Sequence, residues 1–197
     1  IPLRPDGHQP DPLPPTRALP PPASLYDHAP APFAPRASPL PHLYHAMPSI
    51  HHRHPGVIPA AVETPHVRCE LICDGLHAHP AAVRLAFSMF GGSRMVLVSD
   101  SGRCCGLPNG TEFDLGGQTA KLIDGVARLK DNTIACSAIN LYTARVNAMA
   151  VGLPAEDAVR AAPYNPASAI GADKGVRPIP PGRPAPTRVP RDQHPPA

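Results

Sequence analysis

The sequence predicts an α/β fold organised around residues 68–102, where two apolar strands flank a helix. Residues 67–73 are rich in apolar and β-compatible side chains, and residues 95–98 form an unbroken apolar run. Short apolar runs of this kind are typical of parallel strands that are covered on both faces. Because a strand, a helix and a second strand follow one another within about 30 residues, this stretch is predicted to be a βαβ crossover.

The helix between the two strands is marked at both ends. His79-Pro80 places proline at the first helical position, where a backbone N–H is not needed, and Gly91-Gly92 ends the helix. Val83, Phe87 and Phe90 recur at helical spacing. They therefore predict one apolar face that packs on the sheet.

Polar residues follow each strand at the point where it ends. Asp74 and His77 come after the first strand, and Asp100 comes after the second. In parallel α/β folds, ligands bind at the carboxyl edge of the strands. These three side chains are therefore candidates for a functional site.

Proline is concentrated at the two ends of the chain. Of 31 prolines, fourteen fall in residues 1–41 and eight in residues 178–197. Segments of this composition cannot bury enough apolar surface to offset the entropy of ordering. We therefore expect a disordered arm over residues 1–41, a folded region over residues 42–182 and a disordered tail over residues 183–197. In the arm, residues 12–17 match the PxxPxR pattern of polyproline II ligands, a match that chance often produces in such a segment.

Charge and hydropathy exclude two classes of partner. The formal net charge is +3 with the eleven histidines neutral, and the sequence has no basic block with interleaved aromatic residues of the kind that binds nucleic acid. No apolar run approaches the roughly 20 residues of a membrane span, and no hydrophobic signal segment opens the sequence. We expect neither nucleic acid nor a membrane as a partner.

The five cysteines do not form a disulfide framework. Their number is odd, and Cys69 and Cys73 fall in the first predicted strand, where buried thiols are expected. This pattern favours a reducing cytoplasm. As a C-x-x-x-C metal pair, the two residues would lie about 13 Å apart on one face of the strand, too far to chelate one ion.

A histidine-rich segment over residues 41–56 precedes the crossover. Leu43 to Met47 are predicted to form a short strand that Pro48 breaks. Two interpretations of the histidines remain open. They form a solvated loop or an adventitious metal-binding tract, or His42, at the carboxyl end of a strand, ligates a metal through its neutral imidazole. The histidines in and near this segment are His42, His45, His51, His52, His54 and His66.

The residues after the crossover predict a small β meander. Gly116-Gly117 and Asp124-Gly125 lie between apolar runs from Thr111 to Leu129, at the positions of two-residue hairpin turns. The meander is therefore expected to be antiparallel.

Three helices are predicted to follow the meander. Residues 137–150 form the first, which Gly152 ends. Residues 154–162 form the second, which Pro163 cuts. Asn165-Pro166 caps and begins a short third helix that ends at Gly171. The buried stripe of the first helix is predicted to comprise Ala138, Tyr142, Val146 and Met149.

Several motifs in one order carry a family resemblance. They are HLYHAMPSIHHRHPG, ELICDGLHAHP, LVSDSG, GLPNGTEFDLGGQ, KLIDGVARL and NPASAIG. Over roughly residues 42–183 they resemble the carboxyl-terminal half of the N-acetylglucosamine-6-phosphate deacetylase family, in the amidohydrolase superfamily. The resemblance implies a partial (β/α)8 metal-dependent hydrolase barrel, the TIM barrel, with a small β domain. It also implies hydrolysis of the acetamide of an amino-sugar phosphate to glucosamine 6-phosphate and acetate.

The resemblance implies roles for six residues. His42 corresponds to a ligand of a divalent metal ion, zinc or a similar one, and Asp100 to the catalytic acid and base. His77 corresponds to a histidine that binds substrate near the reacting amide. Arg53 corresponds to an arginine that holds the sugar phosphate, together with the backbone at Ala46 and the residue at His45.

The sequence also departs from the family pattern. His45 replaces an asparagine, and Cys136 replaces a glycine. The family's metal-ligating glutamate has no counterpart, and Gly7-His8 is the sole candidate for its other histidine ligand. Two functions are therefore weighed: a metal-dependent deacetylase, and a catalytically inactive truncated or frame-shifted remnant that acts at most as a proline-rich interaction protein. Whether a homo-oligomer completes the barrel stays open.

Overall fold

The computed structural model describes residues 39–172, which form two separate β-sheets and five α-helices of mixed α/β architecture. The predicted arm over residues 1–41 and the predicted tail over residues 183–197 lie almost wholly outside this range. The helices are α1 (Val57–Glu63), α2 (Pro80–Phe90), α3 (Leu141–Ala150), α4 (Ala155–Val159) and α5 (Asn165–Ala169). The strands are β1 (Cys69–Ile72), β2 (Met95–Val98), β3 (Glu112–Leu115), β4 (Gln118–Ile123), β5 (Val126–Leu129) and β6 (Ile134–Ser137).

The predicted βαβ crossover is present. Strands β1 and β2 pair in parallel, with Cys69 opposite Met95 and Ile72 opposite Val98. Both strands are almost fully buried, as their apolar composition predicted. Their carboxyl ends therefore lie side by side at one edge of the sheet.

Helix α2 follows the prediction at both ends. It begins at Pro80, with the His79 side chain accepting a hydrogen bond from the N–H of Ala81, and it ends at Phe90 before Gly91. Gly91 has φ of 71°, a left-handed conformation that favours glycine. The predicted apolar face is buried against the core through Val83, Phe87 and Phe90.

The predicted strand over residues 43–47 is wrong, because this segment is a compact turn. A parallel bridge joins Leu40 to Cys69 just before the segment, and the N–H of Leu43 bonds to the carbonyl of Glu70. The N–H of His45 then bonds back to the carbonyl of His42. His42, Tyr44 and Ala46 have φ of 23°, 77° and 54°, so every second residue adopts a left-handed conformation. Alternation of this kind curls the backbone instead of extending it.

Helix α1 was not predicted from the sequence, because Pro59 interrupts its apolar pattern. Proline is tolerated in the first turn of a helix, where the N–H groups have no intrahelical acceptor. Val57, Ile58, Ala60 and Ala61 are buried. At the other end of α1, the Arg94 guanidinium donates hydrogen bonds to the carbonyls of Ala61, Val62 and Thr64.

The predicted meander is confirmed and has one strand more than expected. Strands β3 to β6 form an antiparallel sheet in sequence order. Two-residue turns at Gly116-Gly117 and Asp124-Gly125 join β3 to β4 and β4 to β5. Strand β6 was predicted to be partly helix, but helix α3 begins only at Leu141, where the Asn140 side chain caps it by accepting from the N–H of Thr143.

The predicted buried stripe of α3 is wrong for Tyr142 and Val146, whereas Met149 is partly buried against the main core. Tyr142 is 59% exposed and Val146 is 38% exposed, whereas Ala144 and Ala148 are fully buried. The stripe was predicted from helical spacing, but the fully buried residues of α3 are small, which allows the helix to approach its neighbours closely. Tyr142 instead packs beneath the Arg145 guanidinium at the surface.

The prediction that Pro163 cuts the second helix is wrong. Helix α4 passes into a π-helical turn, Arg160–Tyr164, that contains Pro163 and continues into α5. The N–H of Asn165 bonds to the carbonyl of Arg160, five residues earlier. The wider turn accommodates the missing N–H and the bulk of the proline ring.

Most of the described chain packs into a core around β1 and β2. Leu43, Ile58, Leu71, Met95 and Leu97 are among its largest fully buried side chains. A second, smaller core lies on one face of the meander. Within residues 39–172, no helix is both long and apolar enough to cross a membrane.

Asn165 was predicted to cap α5, but its side chain has a different role. It is 1% exposed, and its Nδ2 donates to the carbonyls of Gly92 at 2.7 Å and Met95 at 2.6 Å. It therefore ties the helical segment to the loop that enters β2.

We expect Asn165→Ala to lower the free energy of unfolding by about 2–3 kcal/mol, because two buried carbonyls would lose their donor. Urea unfolding followed by circular dichroism measures the change. The exposed Lys130→Ala variant should stay within about 0.5 kcal/mol of the wild type. An equally small effect of Asn165→Ala would show that the two hydrogen bonds contribute nothing net.

Candidate functional site

The loop after β1 holds a buried carboxylate–imidazole pair. The Asp74 side chain is 0% exposed and that of His77 is 7% exposed, and His77 Nδ1 lies 2.6 Å from Asp74 Oδ2. Asp74 Oδ1 also accepts from the backbone N–H groups of Leu76 and His77. An aspartate after a strand commonly organises the following turn in this way. The pair fixes the orientation of the His77 ring.

Burial and hydrogen bonding act in opposite directions on Asp74. Burial acts to raise the pKa of the carboxyl group, but the hydrogen bonds from His77 and Leu76 outweigh it and hold the pKa below its ordinary value. Asp74 is therefore ionised at neutral pH, so His77 Nδ1 carries the hydrogen and donates it.

Asp74→Asn should show how much that pairing stabilises the fold. A depressed carboxyl pKa contributes stability that is present above the unfolded value of about 3.9 and is lost as pH falls through the lower folded value. We therefore expect the wild type to exceed the variant in free energy of unfolding at pH 7, and the difference to shrink below about pH 4. Urea unfolding at a series of pH values tests this. A difference that does not change with pH would contradict it.

Three imidazoles meet at this edge. The rings of His42 and His45 are 6.4 Å apart between centroids, and His45 contacts the His77 ring edge-on at 5.1 Å. The turn that carries His42 and His45 is anchored by the Tyr44 hydroxyl, which donates to the carbonyl of Ala82 on α2 at 3.1 Å. The N–H of Leu43 also bonds to the carbonyl of Glu70 at 2.8 Å.

His45 has a lowered pKa and a buried ring nitrogen without a hydrogen-bond partner in the described part of the chain. Burial lowers its pKa, the imidazoles of His77 and His42 lower it further, and the carboxylates of Asp74 and Asp100 oppose them. The ring is therefore neutral at physiological pH. Its buried Nε2 has no hydrogen-bond partner within residues 39–172. A buried polar atom without a partner marks a position where a ligand atom could form a hydrogen bond.

Glu70 belongs to this edge, although the sequence did not single it out. Its carboxylate accepts a long hydrogen bond of 3.4 Å from the backbone N–H of His42. Burial raises its pKa, the contacts with His42 lower it, and the charge of Asp100 raises it again, so the net pKa is above the ordinary value. The available signal was a charged residue inside the apolar run of β1.

Asp100 lies beyond β2, exposed and in a left-handed conformation with φ of 45°. Its carbonyl accepts from the N–H of Ser137 at 3.0 Å, and the N–H of Gly102 donates to the carbonyl of Ser137 at 3.1 Å. The Ser137 hydroxyl also bonds to the carbonyl of Ser99. Strand β6 therefore holds the backbone of the Asp100 loop from both sides.

Backbone strain is concentrated at the candidate residues. Six non-glycine residues within the described range have positive φ, and three of them are His42, Ala46 and Asp100. Such conformations cost of order 1–3 kcal/mol and recur at functional sites, where the surroundings hold them in place. This pattern was not visible in the sequence.

Arg53 and Ala46 lie toward the solvent. The Arg53 guanidinium contacts His52 Nε2 at 2.8 Å, and its backbone N–H donates to His51 Nδ1 at 3.2 Å. The His51 ring stacks on that of His54 with centroids 5.5 Å apart. Both Arg53 and Ala46 are exposed. The contacts of Arg53 are thus within its own turn. By contrast, His42 and His77 contact His45, and the charge of Asp100 acts on His45.

The described residues do not by themselves make a metal centre. Residues 39–172 contain no group of three or more histidine, cysteine or acidic side chains placed to hold an ion. A catalytic zinc takes three protein ligands and keeps one open position. His42 and the neutral His45 are imidazoles of the right chemical type, but they fall short of that number.

Curated proteins similar to this chain are named as deacetylases of N-acetylated amino-sugar phosphates. N-acetylglucosamine-6-phosphate deacetylase of Bacillus subtilis is 43% identical over 105 residues, which are 53% of this chain and 26% of that protein. The putative N-acetylgalactosamine-6-phosphate deacetylase of Escherichia coli K12 is 32% identical over 143 residues, which are 72% of this chain and 84% of that protein. The chain belongs to the N-acetylglucosamine-6-phosphate deacetylase family. No protein-family model matches the sequence.

Solved structures of the family agree with the fold. The Mycobacterium smegmatis deacetylase, in complex with N-acetyl-D-glucosamine-6-phosphate, superposes with a TM-score of 0.70 at 34% identity over 76% of this chain and 40% of that one. The Pasteurella multocida deacetylase gives a TM-score of 0.70 at 29% identity, over 77% of this chain and 40% of that one. The chain spans 26% and 36% of its relatives from B. subtilis and Vibrio furnissii.

Proposed function

We propose that this chain takes part in metal-dependent hydrolysis of the acetamide of N-acetylglucosamine 6-phosphate, which yields glucosamine 6-phosphate and acetate. The observation that carries the proposal is the edge at the ends of β1 and β2, where His77 and Asp100 meet the turn that bears His42 and His45. Similarity to deacetylases along most of the described residues supports the same substrate class.

Asp100 is proposed as the catalytic acid and base. Its exposed carboxylate lies in a loop held by β6 and takes a proton from the water that attacks the acetyl carbonyl. It then returns a proton to the departing amine, so the carboxylate is regenerated. Each proton transfer of this kind requires a substrate atom within hydrogen-bond reach, which the exposure of Asp100 allows.

His77 is proposed to position the acetamide. Its Nδ1–H is committed to Asp74, so Nε2 is the ring atom left for the substrate. A neutral ring accepts there from the amide N–H of the substrate, and a protonated ring donates to the acetyl oxygen. The buried Asp74 keeps the ring in one orientation, which lowers the entropy lost on binding.

Phosphate recognition is assigned to the solvent side of the site. The Arg53 guanidinium has the planar fork that pairs with two phosphate oxygens. The backbone N–H of Ala46, which has a left-handed conformation, is proposed to contact the phosphate beside Arg53. His45 Nε2 is proposed to supply a further polar contact. Because Arg53 is exposed, its contact with His52 must be exchanged for one with the substrate.

A divalent metal ion, zinc or a similar one, is proposed to take His42 as one ligand. In the bound state it would polarise the acetyl oxygen and acidify water. The remaining ligands are not among residues 39–172. We further propose that the described region is part of a (β/α)8 barrel. The protein is proposed to work in the reducing cytoplasm. A homo-oligomer is compatible with these assignments.

The incomplete metal set favours a second candidate function. With no group of three ligands in residues 39–172, this chain is a catalytically inactive remnant if no other part of the protein supplies the rest. The remnant would act at most through the proline-rich ends, which lie outside the described residues. Metal content of the purified protein after dialysis distinguishes the two, because one histidine does not retain zinc at micromolar concentrations.

Binding of N-acetylglucosamine 6-phosphate to the full chain tests the substrate assignment. Isothermal titration should detect binding that weakens by roughly tenfold or more in His77→Ala, as expected for a lost charge-assisted or neutral hydrogen bond. Arg53→Ala should weaken binding of the sugar phosphate but leave binding of N-acetylglucosamine unchanged. Equal loss for both sugars in Arg53→Ala would contradict the assignment of the phosphate.

A further inference from the structure

Two thiols lie together beneath the Asp100 loop. Cys104 is 0% exposed and Cys136 is 7% exposed, and both pack in the small core of the meander. Cys104 Sγ contacts the carbonyl of Ser137 at 3.7 Å. The two cysteines come from different segments, the loop after β2 and strand β6.

Gly102 provides the space in which the sulfur atoms meet. A Cβ on Gly102 would collide with Cys136 Sγ and would lie 3.8 Å from Cys104 Sγ. Both sulfur atoms therefore border the same small volume next to the Gly102 backbone. Burial raises the pKa of Cys136 to about 11, and the neighbouring Cys104 thiol adds to the rise through its charge and a hydrogen bond. The shared border at Gly102 and the common core are the geometric evidence that the two side chains are neighbours.

We propose that Cys104 and Cys136 are a modification site, a thiol pair that closes to a disulfide on reaction with a small-molecule disulfide such as oxidised glutathione. The pair would link the loop after β2 to strand β6. Cys105, its exposed neighbour, is not part of the link.

The reaction is two successive thiol–disulfide exchanges. The Cys136 thiolate attacks one sulfur of the oxidant, the oxidant's S–S bond breaks, and one thiolate leaves and takes up the proton that Cys136 lost. The Cys104 thiolate then attacks Cys136 Sγ in the mixed disulfide, and the second small thiolate leaves with the proton of Cys104. The protein loses two electrons and two protons, and the oxidant becomes two thiols.

The disulfide would restrain the Asp100 loop. The hydrogen bonds between the backbones of Asp100 and Ser137 and of Gly102 and Ser137 lie directly beside the two cysteines. A covalent bond between Cys104 and Cys136 fixes the same two segments. Any effect on turnover rests on the proposed function, whereas formation of the disulfide does not.

The test is disulfide mapping of the full chain. After incubation with oxidised glutathione at about pH 8.5, which raises the thiolate fraction, free thiols are alkylated and the protein is digested with trypsin without reduction. We expect peptide 104–121 joined to peptide 131–145, with the loss of two hydrogens. The apparent melting temperature should rise by about 5–15 °C, because a cross-link restricts the unfolded chain.

Two variants decide which thiols react. Cys105→Ser should retain the link between the two peptides, and Cys136→Ser should abolish it. A link that persists in Cys136→Ser, a link lost in Cys105→Ser, or glutathione bound at Cys105 without any cross-link in the wild type would overturn the proposal. If Cys136→Ser fails to fold, the wild type and Cys105→Ser still decide, because the wild type shows the link to peptide 131–145 and Cys105→Ser assigns it to Cys104. Because the readout is mass, failure here is distinguishable from failure of the deacetylase proposal.

Discussion

Replacing Asp100 by asparagine is expected to lower the rate of acetate release from N-acetylglucosamine 6-phosphate by about 10²–10⁴-fold. The amide has the shape of the carboxylate but cannot accept and return a proton. Asp100 is exposed and contributes its backbone, not its side chain, to the bonds with β6. The variant should therefore fold as the wild type does. Acetate is measured with the full chain in the presence of a divalent metal ion.

Asp131→Asn is the matched control for this prediction. Asp131 is exposed in the turn between β5 and β6, and asparagine can still accept the hydrogen bond that its Oδ1 receives from the N–H of Thr133. Acetate release should be unchanged in this variant. If Asp100→Asn retained the wild-type rate, Asp100 would be a turn residue and not the acid and base.

Leu71→Ala is expected to have the largest effect on stability, a loss of about 2–5 kcal/mol in the free energy of unfolding. Leu71 is 0% exposed, in the middle of β1 and in the main core. Truncation removes buried methyl groups and leaves a cavity that the surrounding strands and helices can fill only in part. Denaturant unfolding measures the loss. This loss is a large fraction of the free energy of unfolding of a typical small domain, about 5–15 kcal/mol.

Leu85→Ala makes the same chemical change at a surface position. Leu85 is on α2 and 52% exposed, so its removal should change the free energy of unfolding by about 0.5 kcal/mol or less. Similar losses in the two variants would mean that β1 is not the centre of the core.

The crossover could be predicted because its local signals and its packing agree. Unbroken apolar runs became the buried strands β1 and β2, and Pro80 and Gly91 marked the ends of α2. The meander followed from its two glycine-containing turns. In these places each residue prefers locally what the whole fold requires.

Elsewhere, packing overrode the local signal. Pro163 is a helix breaker by itself, but a π-helical turn accommodates it, because α4 and this turn pack on the main core and α5 contacts β2. The large side chains of α3 were expected inside, yet Ala144 and Ala148 occupy the contact. A single sequence does not reveal how closely two elements approach, and that distance decides which side chains fit.

The candidate site was predictable where it follows strand ends and not where it depends on backbone strain. Asp74, His77 and Asp100 follow β1 and β2, as their spacing indicated. The turn that brings His42 to the site was taken for a strand, because its left-handed residues are not glycines. Glu70 was passed over because a charged residue inside a strand is usually an outward-facing one.

The most direct test of the account is acetate release from N-acetylglucosamine 6-phosphate by the purified 197-residue chain supplied with Zn²⁺. If the edge formed by the ends of β1 and β2 is a deacetylase site, acetate should appear faster than in buffer, and Asp100→Asn should abolish the increase. If folded wild-type protein released no more acetate than Asp100→Asn, this result would contradict the deacetylase assignment. The inactive remnant would then be the remaining interpretation.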